Sequence, residues 1–267
     1  MKKTTLSAIL SAILLVTSCD KDDDNYQPDQ PGKPQIESKE FKAAGDEGSL
    51  VGVIDQFRQM LGEPLNTTPD QTVGRREVNW DGVPANLTNN NNFPLDFFNL
   101  TDPAGANGRK RGLVYLANGS PIRIDSSSFV DLDPSYAGQF EAFSKKKQLI
   151  SASSTISEIA FKIPGTNTDA FVHGFGIVFS DVDVANSTTL EFYNGNKSLG
   201  VFKALPRNDK GSFSFLGVHF AKEKITRIKI TAGNGVLAAG VKDISDGGSK
   251  DLVAYDDFFY DEPKQIR

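Results

Sequence analysis

The sequence predicts an all-β protein, an antiparallel β-sandwich of the jelly-roll type with one short helix near its N-terminus. From residue 74 onward, short runs of alternating apolar residues are separated by Gly, Asn, Asp and Pro about every ten residues. Apolar residues make up 38% of the chain and include 19 Phe, which is enough to bury a core. Because sandwiches of more than 200 residues often fold as one unit, we predict a single folded domain.

The first 18 residues predict a signal peptide. Lys2 and Lys3 precede an apolar stretch at residues 6–16, which is shorter than the roughly 20 residues that span a bilayer. Residues 15–19 resemble the lipobox of bacterial lipoproteins, in which a Cys is lipidated before cleavage on its N-terminal side. We expect Cys19 to be that residue, since it is the only Cys in the chain. The folded part then has no thiol for a disulfide or a zinc cluster.

Residues 20–25 form an acidic run that resembles the surface-export signal of Bacteroidota lipoproteins. This resemblance implies an outer-membrane lipid anchor and exposure at the cell surface. The alternative is a solvated spacer on the periplasmic side, because charge runs are usually solvated. The region up to residue 48 is rich in Pro, Gln, Asp and Lys, so residues 19–48 are predicted to be a lipidated, disordered stalk.

One helix is predicted over residues 51–61, where Val51, Ile54 and Leu61 recur at spacings of three and four. Gly62 and Pro64 end it. The sandwich is predicted to occupy residues 49–263, and residues 264–267 are predicted to be a tail.

The strands are predicted from alternation and from turn residues. Asn194-Gly195 between two alternating runs indicates a hairpin, because both residues tolerate positive φ. Residues 252–260 form the last strand. Residues 40–123 have weaker signals and are expected to wrap onto the same sandwich and supply an edge strand or two. Residues 234–251 are interpreted as a flexible connection; they resemble a calcium loop in composition but lack the EF-hand spacing.

Two blocks carry a resemblance to a family. Residues 74–84 (GRREVNWDGVP) and residues 253–260 (VAYDDFFY), with residues 172–183 between them, are similar to a group of uncharacterised bacterial secreted proteins with a jelly-roll core. This resemblance implies a fold and no reaction. A more remote likeness is to galactose-binding-like lectin sandwiches, some of which hold a structural calcium near an Asp pair in the last strand.

Six carboxylates are candidate ligands for a structural calcium ion. A strand points neighbouring side chains to opposite faces, so one of two adjacent acids faces inward, where a hard cation would stabilise it. Acids two positions apart lie on one side and can chelate together. The candidates are Asp181, Asp183, Asp256, Asp257, Glu77 and Asp81. The alternative is that all six are solvated or paired with basic side chains.

Trp80, the only Trp, is a candidate platform for a sugar ring if it is exposed. Packing at the end of the sandwich is the alternative. The two histidines, His173 and His219, lie in strand-like apolar runs and are interpreted as strand residues rather than as catalytic groups.

These features predict a lipid-anchored envelope protein that acts as a non-catalytic binding module for a glycan or another extracellular component. A structural role in an envelope protein complex is the alternative, and a glycan-active hydrolase is the third possibility. No catalytic residue is assigned. The formal net charge of −5 argues against a nucleic-acid partner, because such partners favour basic surfaces.

Overall fold

The computed structural model describes residues 36–207 and 212–266. These residues form two antiparallel sheets of seven strands each and one α-helix, which confirms the predicted all-β sandwich. The predicted signal peptide, Cys19 and the acidic run lie outside the described residues. Within the described ranges, every helix is too short or too polar to cross a bilayer.

The elements are numbered in chain order. The helix is α1, Glu47–Leu61. The strands are β1 Ser38–Gly45, β2 Arg75–Val78, β3 Leu113–Tyr115, β4 Ile122–Asp125, β5 Gln148–Ser151, β6 Ile156–Lys162, β7 Asp169–Phe171, β8 Gly174–Ser180, β9 Thr189–Asn194, β10 Lys197–Lys203, β11 Phe213–Phe220, β12 Arg227–Thr231, β13 Ala254–Asp261 and β14 Lys264–Gln265.

Strand order separates the two sheets. The first sheet runs β1-β11-β8-β13-β5-β4, and β2 also pairs with β13. The second sheet runs β10-β9-β12-β6-β7-β14, and β3 also pairs with β6. Strand β13, which comes from the end of the chain, therefore lies in the middle of the first sheet.

The main core lies between the two sheets. Strand β6 alternates buried and half-buried residues along its length, as the sequence predicts for a strand with one face in the core. Its Phe161 contacts the first sheet, with ring centroids 5.3 Å from Tyr260 and 6.3 Å from Phe175. The same alternation of buried and half-buried residues occurs in β9 and β12 of the second sheet.

Helix α1 covers the outer face of the first sheet and makes a second apolar cluster there. Its buried residues Leu50, Ile54, Phe57 and Leu61 pack against the strands. The helix begins earlier than predicted, because the Asp46 carboxylate accepts the Ser49 N–H at 2.8 Å and caps it. Strand β8 is buried along its whole length, since it has apolar layers on both faces.

The predicted stalk is wrong at its C-terminal end. Strand β1 lies inside the interval predicted to be disordered, and all eight of its residues pair with β11. Phe41 is its one fully buried side chain, so the sequence carries no alternation to reveal it. The predicted tail is also corrected, because β14 pairs with β7.

Two local predictions are confirmed. The hairpin turn joins β9 to β10 with Lys197 paired to Asn194, and Gly195 has a φ of 57°. Residues 40–123 contain β2, β3 and most of β1, and β1 and β2 each pair with a single strand at the border of the first sheet.

Candidate functional site

An acidic cluster forms where β8 ends. Asp181 follows the strand in a left-handed conformation, with a φ of 72°, which turns the chain. The turn places Asp183 beside it, and Asp243 comes from the connection between β12 and β13. One carboxylate oxygen from each residue lies within 4.8 Å of those from the other two. We call Asp181, Asp183 and Asp243 the acidic cluster; it could hold a metal ion.

Two members of the acidic cluster are buried, Asp183 is half-buried, and polar partners surround all three. Asp181 is 0% exposed and Asp243 is 1% exposed. The Arg207 guanidinium is ion-paired with Asp181 and lies 3.2 Å from an oxygen of Asp183. Gln139 donates from Nε2 to Asp181 and, at 2.8 Å, to Ser245 Oγ.

Backbone N–H groups hold the neighbouring carboxylates in place. Asp243 accepts the N–H of Ser245 at 2.7 Å and that of Leu252 at 2.8 Å. Asp251, buried next to the cluster, accepts the N–H of Asp183 at 3.0 Å. These bonds tie the end of β8 to Asp251 at the C-terminal end of the connection before β13, and tie Asp243 in its middle to Leu252.

The charge balance in the cluster favours an added positive charge. Burial raises the pKa of Asp183 to about 7, and hydrogen bonding and repulsion from Asp243 add to this. Burial also raises the pKa of Asp251. One buried oxygen of Asp183 has no hydrogen-bond partner among the described residues. A proton or a cation would relieve both the repulsion and the unmet hydrogen bond.

The other predicted ligands lie elsewhere. Within the described residues, no second group of three carboxylate or imidazole ligands comes together as closely as the acidic cluster does. Asp256 is fully buried and accepts the Ser144 Oγ–H at 3.1 Å. Asp257, Glu77 and Asp81 form a separate acidic neighbourhood, in which burial raises the pKa of Asp257 and the charges of Glu77 and Asp81 add to the rise. The predicted metal ligands are therefore limited to Asp181 and Asp183.

The Asp256-Asp257 step coincides with a register shift. Strand β13 changes its pairing with β8 between Tyr255 and Phe258. Burial, followed by the charge of Asp257, raises the pKa of Asp256 well above its usual range. Burial raises the pKa of Asp257 to about 6. The two acids are thus both biased toward the protonated form.

A cleft of about 540 Å³ opens beside Asp257. Its lining combines apolar side chains with charged ones, including Phe97, Phe98, Arg109, Arg111, Glu77 and Asp257. Arg109 stacks over Phe97, with its guanidinium carbon 4.2 Å from the ring centroid. Such a mixture of aromatic walls and a few polar groups is typical of small-ligand sites.

Glu77 contrasts with Asp257 in the same cleft. Its two oxygens accept hydrogen bonds from Arg58 at 2.9 and 2.8 Å, and one also accepts from Arg75 at 2.8 Å. Burial opposes ionisation of Glu77, but these bonds outweigh it and lower its pKa. The cleft therefore holds one carboxylate fixed as an anion and one carboxyl group with a raised pKa.

Trp80 is not a surface platform. It is 0% exposed, and its ring makes edge contacts with Phe98 at 5.4 Å and Phe258 at 5.2 Å. Its indole N–H donates to the Asp256 carbonyl at 3.1 Å. Trp80 packs in the core behind the cleft. The prediction that it is an exposed platform for a sugar ring is therefore wrong, and its role is structural.

Sequence reasoning missed several partners. Gln139 and Arg207 lie in stretches without a motif, and their approach to Asp181 depends on how distant loops fold. The sequence matches no protein-family model and no curated protein.

Proposed function

We propose that this chain is a lipid-anchored envelope protein whose sandwich binds an extracellular glycan, without catalysis, in the cleft beside Asp257. The cleft carries the proposal: it joins aromatic walls to charged groups at a size of about 540 Å³. Sugar rings present apolar C–H faces together with hydroxyl groups, so they need both kinds of surface. Cys19 would supply the membrane anchor.

Three side chains of the cleft are suited to hydroxyl groups. Arg109 is positioned by stacking on Phe97, and Arg111 is held by hydrogen bonds to the carbonyls of Asn66 at 2.7 Å and Gly108 at 3.2 Å. Asp257 lines the same cleft, with one oxygen buried and without a hydrogen-bond partner among the described residues. Together they offer cationic donors and an acid within one concave surface.

The binding proposal is tested on a glycan array with the full chain, followed by calorimetry with the best ligand. Arg109→Ala should weaken binding about tenfold or more, because a charged hydrogen bond contributes about 1.5–3 kcal/mol. The matched control is Arg227→Ala, since Arg227 also stacks on an aromatic ring, Tyr193, in the second sheet. Equal loss in both variants, or a folded protein that binds no glycan, would contradict the proposal.

The acidic cluster is proposed to hold a structural calcium ion. Its three ligands are all carboxylate oxygens, the donor type that calcium prefers. The ion would join the end of β8 to the connection before β13, and Arg207 would share the carboxylates with it.

Calcium should therefore raise the unfolding temperature of a metal-stripped preparation, and EGTA should reverse the rise. Asp243→Asn should abolish this response, whereas Asp257→Asn, away from the cluster, should retain it. Thermal unfolding that calcium leaves unchanged in the wild type would rule out the ion.

The anchor is tested separately. Metabolic labelling with palmitate should mark the wild-type chain and leave Cys19→Ala unlabelled. Protease treatment of intact cells should then cleave the wild-type protein if the sandwich faces outward. An unlabelled wild-type chain with a free thiol would contradict lipid anchoring.

Hydrolysis of the bound glycan is a second candidate, favoured by the opposite pKa shifts of Glu77 and Asp257. Asp257 would be the acid. Both oxygens of Glu77 are engaged by arginines, however, which makes it a poor base or nucleophile, so binding is preferred. Chromatography of the ligand after incubation separates the two: binding returns it intact, while hydrolysis yields products that Asp257→Asn no longer forms.

A further inference from the structure

The two arginines that line the cleft beside Asp257 differ from the other arginines of the described residues. The arginines that form ion pairs with carboxylates are Arg58, Arg75, Arg76, Arg123, Arg207 and Arg227. Arg109 and Arg111 form no such pair with any residue in 36–207 or 212–266, and both line the cleft. We call Arg109 and Arg111 the cleft arginines.

Backbone carbonyls orient both cleft arginines through only part of each guanidinium group. Arg111 donates from Nε to the Gly108 carbonyl at 3.2 Å and from Nη1 to the Asn66 carbonyl at 2.7 Å. Arg109 donates from Nε to the Phe97 carbonyl at 3.3 Å and stacks on the Phe97 ring. A guanidinium carries five N–H groups, so the Nη2 groups of both arginines donate to no acceptor among the described residues.

Burial makes a counter-ion valuable at Arg111. Burial lowers the pKa of this guanidinium, because its charge is partly removed from water, and the charge of Arg76 acts in the same direction. Tyr260 and Glu262 act in the opposite direction without reversing the shift. An anion bound in the cleft would compensate the partly buried charge, as carboxylates do for the six paired arginines.

The carboxylates in the cleft lining leave a positive balance. Glu77 accepts hydrogen bonds from Arg58 and Arg75, whose other acidic partners are more than half exposed and are screened by solvent. Asp257 is the other acid of the lining and opposes an anionic ligand. Two unpaired arginines therefore face one acid that no arginine neutralises.

We propose that the cleft selects acidic saccharides, with the cleft arginines binding the carboxylate or sulfate group of the sugar. This inference rests on the proposed glycan binding and narrows it to one ligand class. The planar fork of guanidinium N–H groups matches the oxygen atoms of such an anion. Phe97 and Phe98, which also line the cleft, would pack against the apolar face of the sugar ring.

Calorimetry with matched saccharides tests the charge preference on the full chain in detergent at pH 7.5. One arm compares oligogalacturonate with its methyl ester, and the other compares a sulfated galactan oligosaccharide with its desulfated form. In one arm or both, the charged member should bind at least tenfold more tightly, and added salt should reduce the difference. The arm that shows the preference identifies the anionic group.

The results separate this inference from the glycan proposal. Charged and neutral members that bind equally in both arms, or a glycan array whose ligands are all neutral, would overturn the acidic preference and leave glycan binding intact. An array without any ligand would overturn both.

Substitutions locate the preference. Arg111→Gln keeps a hydrogen-bond donor without the charge, so affinity for the charged saccharide should fall about tenfold more than affinity for its neutral partner. Arg111→Lys should retain most of the preference. Because Arg111 also holds two backbone carbonyls, Arg109→Gln is the second variant and should act in the same direction. Arg227→Gln, paired with Glu158 in the second sheet, is the control and should bind both saccharides as the wild type does.

Asp257→Asn should have the opposite effect. It removes the acid that opposes an anion, so the charged saccharide should bind several-fold more tightly at pH 7.5, above the pKa of Asp257 of about 6. If the arginine variants weaken the charged and neutral saccharides to the same extent, the cleft arginines serve only the shape of the cleft and the inference fails.

Discussion

At the scale of single residues, two glycines decide how closely α1 approaches the first sheet. A Cβ at Gly176 would lie 2.7 Å from the Phe57 ring, and one at Gly217 would lie 3.0 Å from it. Phe57 is fully buried, with its ring 5.1 Å from Phe41 and 5.6 Å from Phe215. The absence of a side chain at Gly176 in β8 and at Gly217 in β11 therefore allows the Phe57 ring to pack on the sheet and anchor the helix.

Gly176→Ala should lower the free energy of unfolding by about 1–3 kcal/mol, because the added methyl group overpacks the Phe57 pocket. Gly52→Ala is the matched control. Gly52 lies in α1 with no atom within 4 Å of the position of an added Cβ, so alanine should raise stability by about 0.5–1 kcal/mol. Urea unfolding measures both; equal stability of the two variants would contradict the packing argument.

The Asp256-Asp257 pair predicts a pH dependence. Burial raises the pKa of Asp257 to about 6 from an ordinary value of 3.8, and Asp256 is shifted in the same direction. Protonation of Asp257 in the folded state thus contributes stability that is fully present below about pH 3.8 and is lost as the pH rises through about 6. In calcium-free buffer, Asp257→Asn should therefore lose less stability than the wild type between pH 4 and pH 7.5.

Thermal unfolding at both pH values measures this difference, with Asp96→Asn at an exposed loop position as the control. The control should follow the wild-type profile. An Asp257→Asn profile that also matches the wild type would show that the carboxyl group titrates normally.

At the scale of elements, β1 shows that a neighbour can create a strand from an unpromising sequence. Its residues are mostly exposed or half-buried, and only Phe41 and the half-buried Ala43 pack against the apolar cluster under α1. The open edge of β11 supplies the hydrogen bonds, so pairing rather than sequence pattern makes it a strand.

A chain that begins at Asp46 should unfold at a temperature roughly 5 °C or more below one that begins at Ile36. The shorter chain loses β1 and the burial of Phe41, which contributes about 1.5–3 kcal/mol, but keeps the helix cap. Circular dichroism during heating measures the difference. Identical melting curves would show that residues 36–45 add no stability to the sandwich, as expected of a stalk.

Local patterns predicted the strands better than they predicted the site. Ile159 and Phe161 alternate with more exposed residues because β6 has one solvated face. The Asn194-Gly195 pair predicts the hairpin turn because both residues tolerate positive φ. Asp181 and Asp183 were found because their spacing places them together. Asp243 was not chosen as a ligand, since it reaches the cluster only through the fold. The same holds for Trp80, whose burial depends on aromatic rings from three other segments.

At the scale of the whole molecule, the described residues form three layers: α1, the first sheet and the second sheet. The middle layer is the most protected, because β8 and most of β11 are buried. Edge strands such as β10 and β14 expose half or more of their residues.

Hydrogen exchange should follow these layers. Amides of β8 and β11 should exchange slowest and those of β10 and β14 fastest, since local opening needs less free energy where fewer apolar contacts are broken. Mass spectrometry of peptic fragments measures the order. Exchange of β8 as fast as that of β10 would contradict the three-layer description.

The position of β13 has a consequence for the order in which the protein folds. Val78 pairs with Phe258, so β2 cannot complete its ladder until β13 has been synthesised. Such long-range pairing slows folding. The first sheet therefore cannot close around its centre before β13 is available, because β13 follows the six other strands of that sheet in the chain.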